Sequence, residues 1–155
     1  ENTAVFVISV VSTEMQVWDF AKYTTEVKTT ESGFTEEYDG LTIAIANNGA
    51  DTDHDKITTD GVYWRGGAPS GNSARYIAFT PDKDGMLYAT GKLNSSGGRW
   101  GISNSLDVSS FVADSSSTTS TSTATVQMQC TAGTTYYIYS KTRSATVNSV
   151  SYMPQ

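Results

Sequence analysis

Apolar and polar residues alternate along this chain in short segments, a period of two that marks β-strands. The alternation predicts strands at 3–11 (TAVFVISVV), 15–20 (MQVWDF), 41–46 (LTIAIA), 62–65 (VYWR), 74–80 (ARYIAFT), 86–92 (MLYATGK), 99–103 (RWGIS), 123–130 (TATVQMQC), 135–140 (TYYIYS) and 146–153 (TVNSVSYM). Asp39-Gly40, Asp60-Gly61, Asp84-Gly85 and Ala132-Gly133 supply turn chemistry between them. No segment keeps a helical period long enough to compete. Short strands at regular spacing predict an all-β fold, a two-sheet antiparallel β-sandwich of jelly-roll-like form.

The 155 residues are most economically one domain, 1–155, large enough to bury a core and too short for two ordinary ones. The stretch SSSTTSTSTAT at 115–125 has the composition of a linker. Cutting there would strand three short strands with too little core to fold alone. It reads instead as a mobile loop running into a strand.

The segment RYIAFTPDKDGMLYATGKL, 75–93, reads as a hairpin turning at Pro81-Asp82-Lys83-Asp84-Gly85. The register that gathers its apolar residues pairs Phe79 with Leu87 and Ile77 with Ala89. Tyr76, Tyr88, Thr90 and Lys92 then face outward together. If LNSSGG turns the chain again, Ile102 meets Ala89, Trp100 meets Gly91, and Arg99 falls opposite Lys92. Directly opposed cations are unfavourable on a sheet unless an anion or a hydroxyl-rich ligand lies over them. TYYIYSK repeats the chemistry, with Ile138 inward and Tyr137, Tyr139 and Lys141 outward. Tyrosine offers a flat apolar ring and a hydroxyl to the CH face of a sugar, and lysine or arginine offers charge-assisted bonds to a uronate carboxylate. Tyrosine is equally a favoured strand residue on any face, and cations on outer strands also discourage aggregation.

Charge and composition narrow the classes. The net charge of −6 divides unevenly: residues 1–74 carry four basic and twelve acidic side chains, and residues 75–155 carry six basic and four acidic. A sequence pI near 4.6 without a basic cluster argues against nucleic acid. No apolar run approaches the roughly 20 residues of a membrane span, and ENTAVFVISVV lacks the flanks of a signal peptide, so the chain reads as an excised module. Cys130 alternates in step with Val126 and Met128 and is expected as a buried, unpaired thiol. Trp18 and Trp100 fall on core faces. Trp64, before RGGAPSGNS, either flanks a groove or caps the core.

Catalysis and metal binding have little support. His54 is the only histidine, so a histidine-dependent triad has one candidate base, in the acidic loop ADTDHDKITTDG. The chain begins with Glu1, not the histidine of a copper brace, and its acids cluster in turns where a glycosidase needs two across a cleft. Asp51, Asp53 and Asp55 alternate as at the start of a calcium loop, but Lys56 stands where an EF-hand requires glycine and Val62 where it requires glutamate. No metal ligand set, no cofactor and no catalytic residue are assigned.

Several phrases in order, VWDF, DGLTIAI, DGVYWRGG, RYIAFTPDKDGMLYATGK, AGTTYYIYSK and the closing VNSVSY, resemble the non-catalytic carbohydrate-binding modules attached to bacterial pectate lyases and other plant-cell-wall enzymes. The resemblance spans most of the chain. It implies a β-sandwich that targets an attached catalytic domain to its polysaccharide, outside the cell, as a monomer. Surface lysines of pectin-binding members hold galacturonate carboxylates, and Lys92, Lys141 and Arg99 occupy plausible matching positions. The expected ligand-binding set is Lys92, Arg99, Lys141, Tyr76, Tyr88, Tyr139 and Trp64, with pectin (homogalacturonan) as ligand. The acidic first half departs from an ideal pectin binder and leaves neutral β-glucan or xyloglucan open. A structural or adhesion module and a small calcium-dependent lyase or hydrolase are the readings from other classes.

Overall fold

The computed structural model describes residues 14–22, 27–28, 34–45, 55–64, 75–107, 109, 111 and 115–155. They build two antiparallel sheets. One sheet orders β11 (Ala124–Cys130), β8 (Gly85–Leu93), β13 (Ala145–Pro154), β6 (Gly61–Trp64), β5 (Lys56–Thr58) and β2 (Val27–Lys28), with β1 (Gln16–Asp19) as a seventh strand beside β13. The other orders β10 (Ser115–Thr118), β9 (Trp100–Ser103), β12 (Tyr136–Ser140), β7 (Arg75–Phe79), β4 (Leu41–Ile45) and β3 (Phe34–Tyr38). The all-β sandwich expected from the alternation is therefore the observed fold. The predicted strand at 3–11 lies outside the described residues.

Alternation explains the packing directly. Leu87, Ala89 and Leu93 of β8 point inward with Val150 and Tyr152 of β13, and Ile77, Phe79, Ile102 and Ile138 answer from the six-stranded sheet. Fully burying each large aliphatic side chain contributes roughly 1.5–3 kcal/mol. Phe79 joins the sheets, its ring 5.2 Å from Trp18 and 5.0 Å from Tyr152. Cys130 is buried and unpaired, as its position in the alternation requires, and burial pushes its thiol up to about 11. The Asp39-Gly40 turn closes the β3–β4 hairpin with both residues at positive φ, 47° and 88°, as a tight two-residue turn requires.

Three sequence expectations are corrected. β7 and β8 do not pair: β7 lies between β4 and β12, and β8 between β11 and β13, so the pairings of Phe79 with Leu87 and Ile77 with Ala89 do not form. Nor do β8 and β9, which occupy different sheets, so Trp100 does not meet Gly91 and Arg99 does not oppose Lys92. Inward-facing residues of both sheets enter one core, so the period of two specifies which side faces inward and is silent about the neighbouring strand. Finally, Ser115–Thr118 is a strand paired with β9 rather than a loop. Backbone ladder bonds hold it. Gly101 admits it, since a Cβ there would lie 2.2 Å from the Ser116 carbonyl oxygen.

The strands that alternate between sheets leave connections at two ends. At one end, Gly133 N–H donates to Pro81 O at 2.8 Å and Ala132 N–H to Asp84 Oδ1 at 2.8 Å. At the other, Lys141 N–H donates to Arg99 O at 2.8 Å and Asn94 N–H to Ser144 O at 2.9 Å. A buried ion pair spans the sheets: Arg75 Nε lies 3.1 and 3.2 Å from the two carboxylate oxygens of Asp55, which immediately precedes β5.

Candidate functional site

The outer face of the seven-stranded sheet is assembled by register. On β8, Met86, Tyr88, Thr90 and Lys92 alternate with the inward residues and are each half-buried. Across β13 their partners are Met153, Ser151, Ser149 and Thr146, and across β11 Gln129, Gln127 and Thr125 stand beside Met86, Tyr88 and Thr90. Thr90 and Thr125 share a hydroxyl hydrogen bond of 2.8 Å. Lys92 is four positions from Tyr88, about 13 Å along the strand.

The row through Lys92 continues over three more strands. Thr146 pairs with Tyr63 of β6 and Tyr63 with Lys56 of β5. These residues, with Thr58, Asp60, Asn94 and Asn148, line a hollow of about 370 Å³, within the size range of small-ligand sites. Its walls are ammonium, amide and hydroxyl groups and the Asp60 carboxylate around one half-buried tyrosine. Thr146 Oγ1 donates to Asn94 Oδ1 at 3.1 Å, fixing two of these groups.

The hollow owes its shape to an irregularity. The β13–β8 register shifts between Val147 and Ser149, placing Asn148 in a bulge. Gly91 lets the strands approach there, for a Cβ at that position would lie 2.3 Å from the Thr146 carbonyl oxygen. Asn148 Nδ2 donates to the Asp60 carbonyl, while its Oδ1 is buried without a hydrogen-bond partner. An unsatisfied buried acceptor costs about 1–3 kcal/mol, a local cost of the bulge. Lys92 makes no ion pair among the described residues.

The seven residues expected to bind ligand separate into distinct regions. Lys92 and Tyr88 share the outer face just described. Tyr76 also points outward, but on the other sheet, where its ring meets Tyr137 edge to face at 5.4 Å. Tyr76 and Tyr88 thus lie on opposite sides of the sandwich, not on one hairpin face. Arg99 and Lys141 are backbone neighbours at the end of the six-stranded sheet, and Arg99 Nη1 donates to Ser117 Oγ at 3.0 Å. They do not join Lys92 on one sheet face.

Tyr139 and Trp64 are corrected as ligand contacts, because both are fully buried. Tyr139 follows the outward alternation of β12 but is covered by Phe111, 4.6 Å away ring to ring, and its hydroxyl donates to Ser105 O at 2.9 Å. Burial pushes its phenol above the ordinary range. Trp64 joins the inter-sheet core, opposite Ala145. The ambiguity left by its sequence position is resolved in favour of packing.

Tyr63 and Lys56 were missed from the sequence, although a signal existed. Val62 and Trp64 turn inward, which leaves Tyr63 outward, and the Asp60-Gly61 turn folds Lys56 back beside it. Of the acidic loop, Asp55 is committed to Arg75, while Asp51, Asp53 and His54 lie outside the described residues. Among the described residues, no three His, Cys, Asp or Glu side chains come together in a metal-binding group.

No protein-family model matches this chain. No curated protein matches it in sequence. Among solved structures, it is similar to one from the Ruminococcus flavefaciens cellulosome, solved in work on that cellulosome's expansion in glycan recognition. The two share 13% identity over 91% of this chain and 94% of that one, with a TM-score of 0.41. It is also similar to the C-terminal CBM6 of LamC, a marine laminarinase of Zobellia galactanivorans, at 10% identity over 90% and 99% of the two chains and a TM-score of 0.35. Overlaps at this level do not assign a family.

Proposed function

We propose that this chain is a non-catalytic polysaccharide-binding module whose ligand lies on the outer face of the seven-stranded sheet, and that the ligand is an acidic plant cell-wall polysaccharide, homogalacturonan (pectin). The observation that carries the reading is the row Lys92–Thr146–Tyr63–Lys56, which crosses four adjacent strands and lines the hollow with hydroxyl, amide and ammonium groups. A half-buried tyrosine suits a sugar face, threonine and asparagine suit its hydroxyls, and Lys92 suits a uronate carboxylate. Lys92 and Lys56 line the hollow beside Asp60.

In this reading the domain is secreted, acts as a monomer and holds an attached catalytic domain near its substrate. It performs no chemistry of its own. Neutral β-glucan or xyloglucan is the second reading, favoured by Tyr88, Thr90, Gln127 and Ser151, the uncharged stretch of the same face.

Affinity electrophoresis through gels containing homogalacturonan, xyloglucan, β-glucan or xylan tests the assignment. Retardation by homogalacturonan that weakens with salt is expected, since exposed charges are screened beyond about 8 Å at physiological ionic strength. Retardation by xyloglucan or β-glucan alone moves the assignment to the neutral reading, and retardation by none refutes polysaccharide binding. Reducing-sugar release or unsaturated-uronate absorbance that tracked the purified protein would refute the non-catalytic part.

A further inference from the structure

We infer that the strip has an apolar end that accepts alkyl substituents, so that the chain recognises a partly esterified uronan in preference to a fully ionised one; this rests on the binding reading above. The residues concerned lie about 20 Å from Lys92, six positions along β8. Met86 pairs with Met153, and Met15 immediately precedes Gln16, whose partner Tyr152 immediately precedes Met153. Two of the chain's four methionines thus pair across strands, and a third adjoins the end of the neighbouring strand. In the adjoining row Tyr88 pairs with Ser151 and Ser151 with Val17.

Met15 at 44% and Val17 at 55% exposure are the exposed large hydrophobic side chains among the described residues. Neither row contains a charge. Charged residues flank the rows: Asp19 lies one row nearer the hollow on β1, Asp84 stands two positions before Met86 with its carboxylate accepting from Ala132 N–H, and Glu14, Asp82 and Lys83 lie beyond the methionines.

An ionised uronate over these rows would surrender water for thioether and methyl groups, which return no hydrogen bond. A methyl ester or an acetyl group has the opposite balance: it carries no charge and presents an alkyl group that gains from leaving water. Methionine adapts its shape to irregular apolar groups, so the row tolerates substituents at varied positions. A protein occupant fits less well, because a standard interface covers about 800 Å² per partner and this patch is five side chains wide. The same face therefore holds ionised sugars at Lys92 and esterified ones at the methionines.

Homogalacturonan fragments of equal length, either fully de-esterified or half methyl-esterified, separate the outcomes by isothermal titration. Burying one methyl group corresponds to about fourfold in affinity, so the half-esterified fragment is expected to bind the parent at least that much tighter. In a Met15→Gln/Val17→Thr variant the preference vanishes while binding to the de-esterified fragment and the unfolding midpoint are unchanged, both side chains being exposed. Equal or weaker binding of the esterified fragment by the parent overturns the inference, as does a preference that survives the double substitution. Sedimentation showing a dimer that Met15→Gln dissolves would assign the patch to a second copy instead. Uronan binding without ester dependence sinks this inference alone, whereas a parent that binds neither fragment sinks the pectin reading with it.

Discussion

Asp55→Ala removes one partner of the ion pair that spans the sheets, and its consequence is calculable. Asp55 enters from the seven-stranded sheet and Arg75 opens β7 of the other, with side chains 4% and 7% exposed and Nε 3.1 Å from Oδ2. Breaking a buried pair by removing one partner costs about 3–5 kcal/mol, because the other charge stays buried without it. A domain has about 5–15 kcal/mol of stability in total, so this is a large share. At roughly 2–4 °C per kcal/mol for a chain of this size, the melting midpoint falls by about 6–20 °C. Urea unfolding followed by tryptophan fluorescence, with calorimetry alongside, measures it. Both side chains make further contacts, so the coupling itself is read from a cycle with Arg75→Met and the double variant, which regains part of the loss. A loss below about 1 kcal/mol for Asp55→Ala would show a pair behaving as though exposed to water, refuting the role assigned to it.

Tyr139→Phe deletes the hydroxyl that donates to Ser105 O, and is expected to cost about 0.5–1.5 kcal/mol of stability while polysaccharide binding is unchanged; a binding loss at full stability would return Tyr139 to the ligand. Cys130, buried with its thiol raised to about 11, holds almost no thiolate at pH 8, so iodoacetamide labels the native protein far more slowly than the urea-unfolded chain. Equal labelling rates would contradict that burial. Chelator leaves the unfolding midpoint unchanged, because Asp55 is bound to Arg75 instead of awaiting a cation; a fall restored by calcium alone would overturn this.

Which side of each strand faces inward was legible from the alternation, as β8 shows at every position from Gly85 to Leu93. Lys92 and Tyr88 were accordingly placed on an outer face, and Cys130, Trp18 and Trp100 in the core. Strand partners were not legible, because a short connection such as that at Pro81 serves a hairpin or a crossing between sheets equally well. That one ambiguity moved Tyr76 to the opposite face and Arg99 away from Lys92. Tyr139 failed for a different reason: its alternation was right, but a ring distant in sequence covers it. Phe111, apolar within the serine-rich run SSFVADSSS, was the available sign. Ser115–Thr118 carries no apolar pattern, since backbone pairing with β9 is what makes it a strand.

The central claim, a ligand on the outer face of the seven-stranded sheet, is tested most directly by a nuclear magnetic resonance titration of the labelled protein with homogalacturonan fragments. The account predicts shifts concentrated at Tyr88, Thr90, Lys92, Thr146 and Tyr63, with Lys92→Ala weakening the affinity by about one to two decades, the worth of a charge-assisted hydrogen bond. Shifts confined to Tyr76 and Tyr137, or to Arg99 and Lys141, with Lys92→Ala binding like the parent, would contradict it.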